Sequence, residues 1–296
     1  MPQLLPNARI PSPAATVFHA PGPLRLWHLA SLDAPTVALV WSLAFAWVAR
    51  IRLPLWVPIL LALAVWAAYI ADRLLDARAA LLSQNLHRLR DRHLFHWRHR
   101  RILLPLAIAS AAAAAAIVFT LMPPINRERN SILAAASLVY LTRVHTGRKQ
   151  SPFLSKELLV GILFTAGCAL PALTRISAHA GAPTLILLAP LLIPVGFFAL
   201  LAWLNCHAID RWEADPHSAA KQRVLPFAAL LALAGLLLAA LLLNTQPRSA
   251  ALLATGSAAA LLLALLHKLH TRLTPIALRA AADLVLLTPV FLLAFK

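Results

Sequence analysis

Charge is what this chain has least of. Asp and Glu total 10 and Lys and Arg 27 among 296 residues, 12% together, where a soluble domain carries about 25%. With 61% hydrophobic residues and a mean hydropathy of +0.77, the composition excludes an ordinary soluble domain and predicts a polytopic membrane protein. Cysteine is nearly absent: Cys168 and Cys206 are the only two, both in expected helices, which leaves no disulfide framework and no cysteine-built zinc site. Residues 1–31 lack an uninterrupted apolar core, being broken by Pro2, Pro6, Pro11, Pro13, Pro21 and Pro23. They read as an N-terminal cytoplasmic arm, neither signal peptide nor span. The net charge of +17 does not signal nucleic acid, because the basic residues lie in short segments between apolar runs. There they act as topology signals and lipid-headgroup contacts.

What is abundant is apolar sequence. Runs long enough to cross a ~30 Å hydrocarbon layer follow one another from residue 32 to 296. Helices are expected near 33–50, 54–71, 102–122, 131–143, 157–175, 184–206, 224–244, 250–267 and 276–295. The fold class is therefore all-α, a nine-helix transmembrane bundle in one domain. Asp33-Ala34-Pro35 reads as a helix start with Asp33 at the N-cap and proline in the first turn. Arginine and lysine concentrate in alternate connections, above all at 88–101 and 143–156. That asymmetry puts the N-terminus inside and the C-terminus outside, as in a bacterial inner membrane.

The few acidic residues are not scattered. Asp72 and Asp76 close the second helix, and Asp210, Glu213 and Asp215 close the sixth, so five of the 10 carboxylates sit in two clusters on the cytoplasmic side. Asp72 and Asp76 are four apart and share a helix face. The matching positions suggest two four-helix halves plus a ninth helix, with a site between them. Carboxylates facing across a cavity suit Mg²⁺, a hard ion often shared with substrate phosphates. Arg73, Arg78, Arg143 and Arg211 stand alongside and can hold phosphate oxygens bidentately. Metal and arginines together stabilise a departing diphosphate, and an apolar cavity protects the carbocation left when that diphosphate is allylic. Trp66, Tyr69, Tyr140 and Trp203 lie near the inner helix ends. There they serve as interfacial anchors or as aromatic faces towards a cation.

These residues resemble the UbiA superfamily of intramembrane prenyltransferases. The family's first motif, NDxxDRxxD, is similar to the segment 68–76, where Asp72, Arg73 and Asp76 match and Ala68-Tyr69 replaces Asn-Asp. Its second Asp-rich motif resembles Asp210-Arg211-Trp212-Glu213-Ala214-Asp215, with Asn205 upstream and a spacing of five in place of four. Its Tyr-x-x-Lys-Arg segment is similar to 140–143, of which Tyr140 and Arg143 remain. The resemblance implies transfer of an isoprenyl group from its diphosphate to a lipophilic, aromatic acceptor, with Mg²⁺ as cofactor. Asp72, Asp76, Asp210, Glu213 and Asp215 would hold the metal. Arg73, Arg78, Arg143, Arg211, Asn205, Tyr69 and Tyr140 would hold substrate. The alternative is a non-catalytic UbiA-like membrane scaffold or lipid carrier, which the missing Asn-Asp pair favours.

Two further features have bland readings beside functional ones. His93, His96 and His99 recur every three residues, yet arginines crowd the same stretch. A headgroup-facing amphipathic helix with Leu89, Phe95 and Trp97 towards lipid fits it better than a metal site. Arg279 and Asp283, four apart in the last helix, read equally as an internal ion pair or as an intramembrane functional pair.

Overall fold

The computed structural model describes residues 22–82, 90–145, 156–180, 185–214 and 223–294. Among them every regular element is helical and no strand occurs. In chain order they are α1 (Pro23–Leu29), α2 (Asp33–Val48), α3 (Trp56–Leu82), α4 (Asp91–Arg98), α5 (Arg100–Leu121) and α6 (Pro124–His145). Then follow α7 (Lys156–Ala180), α8 (Leu185–Ala214), α9 (Val224–Leu242), α10 (Pro247–Leu269), α11 (Pro275–Val285) and α12 (Val290–Ala294).

Six of these, α3, α5, α7, α8, α9 and α10, are long and apolar enough to cross a membrane. The pair α1 and α2, bent by 90°, makes a seventh if it counts as one broken span. The expected nine are thus met only in part, for visible reasons. The helix α6 carries Arg127, Glu128, Arg129 and Arg143. The last expected span divides into α11 and α12 around a turn at 286–289, where Pro289 offers no N–H to continue the ladder.

Two helices run past their expected ends. α3 continues to Leu82 through a stretch rich in alanine, leucine and arginine, and α8 to Ala214 through Ala208, Arg211 and Glu213, all strong helix formers. Asp72, Asp76, Asp210 and Glu213 therefore stand on helix rather than beyond it. Residues 22–31, expected in the arm, include α1, which packs against α4 and α11. Residues 1–21 of that arm and Asp215 lie outside the described residues.

The core centres on α2, which packs against α3, α7, α8, α10, α11 and α12. Its Trp41 is fully buried, stacks on Phe198 of α8 at 3.8 Å, and donates its indole N–H to the Leu286 carbonyl at 2.8 Å. Phe45 meets the same Phe198 ring edge-on. The helices α7 and α8 approach so closely at Gly161 that an added Cβ would lie 2.9 Å from the Trp203 backbone nitrogen. Only glycine permits that distance. At the rim, α5 and α6 leave Ile102, Ile108, Phe119, Ile132 and Leu138 exposed, the kind of surface that lipid covers at no cost.

Candidate functional site

The corner between α1 and α2 builds a buried ionic centre. Ser31 turns the chain there in the left-handed region, at φ 56. Such a conformation costs a non-glycine residue about 1–2 kcal/mol and persists only where its surroundings hold it. Trp66 of α3 holds it, donating to the Ala30 carbonyl at 2.9 Å. So does the fully buried His96 of α4, whose Nε2 lies 3.1 Å from the Ser31 hydroxyl.

The corner brings His28 back onto Asp33. The His28 Nδ1 donates to the Asp33 carboxylate at 2.6 Å and stands 3.6 Å from the carboxylate of Asp283 on α11. Asp33 does not occupy the N-cap as expected. Leu32 takes that position and Asp33 is the first helical residue. One of its oxygens accepts the Ala34 N–H at 2.9 Å, which frees the other for His28. From α3, the Arg73 guanidinium places Nη2 3.7 Å from Asp33, while its buried Nε and Nη1 find no acceptor. Tyr69 lies one turn below, its ring centroid 5.9 Å from the guanidinium carbon. From α8, Asn205 donates its amide N–H to Asp283 at 3.2 Å.

A second layer is built on α4. His96 accepts from Ser31 at Nε2 because its Nδ1 must donate to the Arg92 carbonyl, 2.7 Å away. Arg92 donates to the Glu213 carboxylate at 2.9 Å, Arg90 to the Glu213 backbone carbonyl at 2.9 Å, and Arg279 of α11 to the same carboxylate oxygen as Arg92. His93 stands 3.9 Å from Asp76. His93 and His96 thus point inward rather than towards headgroups, because each has a polar partner in the bundle. Arg279 and Asp283 likewise take different partners rather than each other.

Burial drives the His96 imidazole down to about 4 from its ordinary 6.5, against a raising contribution from the Arg92 carbonyl. Between those values the unfolded chain binds the proton more tightly than the folded one. His96 therefore contributes stability in full above pH 6.5 and loses it as pH falls towards 4, with a slope of up to about 1.4 kcal/mol per pH unit. Melting temperatures measured from pH 7.5 to 5 should fall more steeply for the wild type than for His96→Gln; parallel curves would sink this account.

The residues singled out in the sequence are divided by the fold. Arg73, Tyr69 and Asn205 meet at the ionic centre. Asp76 and Glu213 flank α4. Tyr140 of α6 is half-buried and feels the charges of Asp72 and Asp76. Arg78, Arg143, Asp210 and Arg211 are exposed. As a donor set for Mg²⁺, the described carboxylates Asp72, Asp76, Asp210 and Glu213 form no group of three within ligand reach, and arginines occupy Glu213. Among the described residues the group that does converge is His28, Asp33 and Asp283, whose ligand atoms all lie within 4.8 Å of one another. Asp283 carried a sequence signal, an ionisable residue inside an apolar helix. The role of Asp33 was masked by its resemblance to a cap.

No family model matches the chain, and no curated protein or solved structure matches it either. Fold and site define an all-helical protein with several helices fit to cross a membrane and an ionic centre buried among them.

Proposed function

We propose that this chain is an integral membrane transferase of UbiA type, moving an isoprenyl group from its diphosphate to a lipophilic, aromatic acceptor. The observation that carries the reading is the gathering of acidic and basic side chains from α3, α4, α8 and α11 around α4, next to apolar helices. Nine spans with the N-terminus inside and the C-terminus outside would set these groups at the cytoplasmic face of a bacterial inner membrane, in keeping with the arginine distribution. Asp72, Asp76 and Asp210 would hold Mg²⁺ jointly with phosphate oxygens, and the ion would neutralise charge on the leaving diphosphate. Arg73, with two donor groups lacking acceptors, would bind the diphosphate with Arg211, Arg143 and Arg78. Tyr69 and Tyr140 would face the reacting carbon. An apolar groove of about 340 Å³ along the α6–α7 seam, lined by Leu133, Ala136, Ala166 and Leu170, ends one helical turn from Tyr140 and offers room for an isoprenyl chain.

The test is thermal stabilisation of the purified chain by a long-chain isoprenyl diphosphate, with and without Mg²⁺. At a hundredfold excess over Kd the expected gain is about 2.7 kcal/mol, dependent on Mg²⁺ and absent in Asp72→Ala and Asp210→Ala. A folded sample that shows no shift removes the transferase reading. The second reading, a non-catalytic UbiA-like scaffold or lipid carrier, is favoured by the arginines that occupy Glu213. It expects equal stabilisation by the corresponding isoprenol without Mg²⁺.

A further inference from the structure

We propose that His28, Asp33 and Asp283, completed by the side-chain oxygen of Asn205, form a binding site for one divalent transition-metal cation. The diphosphate reading shares Arg73 and Asn205 with this centre but gives no role to His28, Asp33 or Asp283, so the metal is tested without diphosphate.

Three ligand atoms already converge. His28 Nδ1 is 2.6 Å from Asp33 Oδ2 and 3.6 Å from Asp283 Oδ2, and the whole set falls within 4.8 Å. An ion about 2.0–2.2 Å from nitrogen and oxygen ligands holds them about 3.0–3.6 Å apart, so the His28–Asp33 pair at 2.6 Å opens on binding and any wider pair closes, by up to about 1 Å. The second observation is Asn205. It is 4% exposed, its Nδ2 donates to Asp283 Oδ1 at 3.2 Å, and its Oδ1 has no partner at all. A buried amide oxygen without a donor is costly. Turning the amide about its own axis exchanges the two atoms and sets that oxygen beside Asp283, from where it would serve as a fourth ligand.

Charge points the same way. Two carboxylates face one guanidinium, and Arg73 stands back at 3.7 Å from Asp33. One negative charge is left over in an apolar interior, and a proton, on His28 or on Asp283, or a cation must offset it. Three oxygens with one imidazole suit Mn²⁺ or Zn²⁺ better than Mg²⁺, which seeks an all-oxygen shell.

The full chain in detergent, loaded with Mn²⁺ alone and stripped of free metal, is the sample to examine by electron paramagnetic resonance. We expect one Mn²⁺ per chain carrying the nitrogen coupling of a single imidazole, displaced by Zn²⁺. His28→Gln should remove the nitrogen coupling, and Asp33→Asn with Asp283→Asn should lower occupancy at least tenfold, while Asp72→Asn and Asp76→Asn keep both signals. Should the double variant fail to fold, the wild-type spectrum and His28→Gln decide. A folded wild type that retains neither Mn²⁺ nor Zn²⁺ assigns the missing charge to a proton on His28 or Asp283 and overturns the proposal. So does bound Mn²⁺ that lacks nitrogen coupling or disappears with Asp72→Asn.

Discussion

Asp33→Ala is expected to cost about 3–5 kcal/mol of stability, the range for removing one partner of a buried ion pair. Asp33 is 2% exposed and engages His28, Arg73 and the Ala34 N–H together. Its loss leaves a buried guanidinium whose other nitrogens already lack acceptors. Asp33→Asn keeps the acceptor for His28 and Ala34 but not the charge, so it should fall between wild type and alanine. Thermal unfolding of the three proteins in one detergent checks the order. If alanine and wild type melt within about 1 kcal/mol of each other, the centre is more solvated than its burial indicates, and Asp33 does not organise it.

Trp41→Ala should be similarly costly, about 3–5 kcal/mol, as for other buried tryptophans. In a membrane the loss comes from packing rather than from water exclusion, because lipid tails are as apolar as the core. Here the indole fills the space between α2, α8 and the turn after α11, stacked on Phe198 and bonded to Leu286. Trp41→Phe separates the two contributions. It keeps an aromatic face on Phe198 and forfeits the bond to Leu286, about 1 kcal/mol, together with the packing of the lost ring atoms, so it should fall between wild type and alanine. Equal melting temperatures for the phenylalanine and alanine variants would show that the hydrogen bond, not the ring, carries the site.

The elements most legible in the sequence were those whose composition alone defines them. The expected helices at 224–244 and 250–267 correspond to Val224–Leu242 and Pro247–Leu269, because uninterrupted apolar residues admit no other state in a bilayer. Hydropathy was a poor guide to where α3 and α8 stop, since a helix entering a polar region needs only propensity and partners. The ionic centre was legible in pieces. Asp283 stood out as a charge inside an apolar helix, but its partners lie 78 residues away at Asn205 and near the other end of the chain at His28. His96 reaches Ser31 across 65 residues. A face of a helix is read from spacing, whereas the partner it meets is set by the packing of distant segments.

The bond from Trp41 to Leu286 spans 245 residues, and that separation sets a timetable for biogenesis. At about 5–20 residues per second, roughly 12–50 s pass between synthesis of the two ends. For most of that interval α2 is made but its partners α10, α11 and α12 are not. His28 and Asp33 have each other, while Asp283 has yet to emerge from the ribosome. The contacts of α2 with α10, α11 and α12 therefore form only after those helices are made.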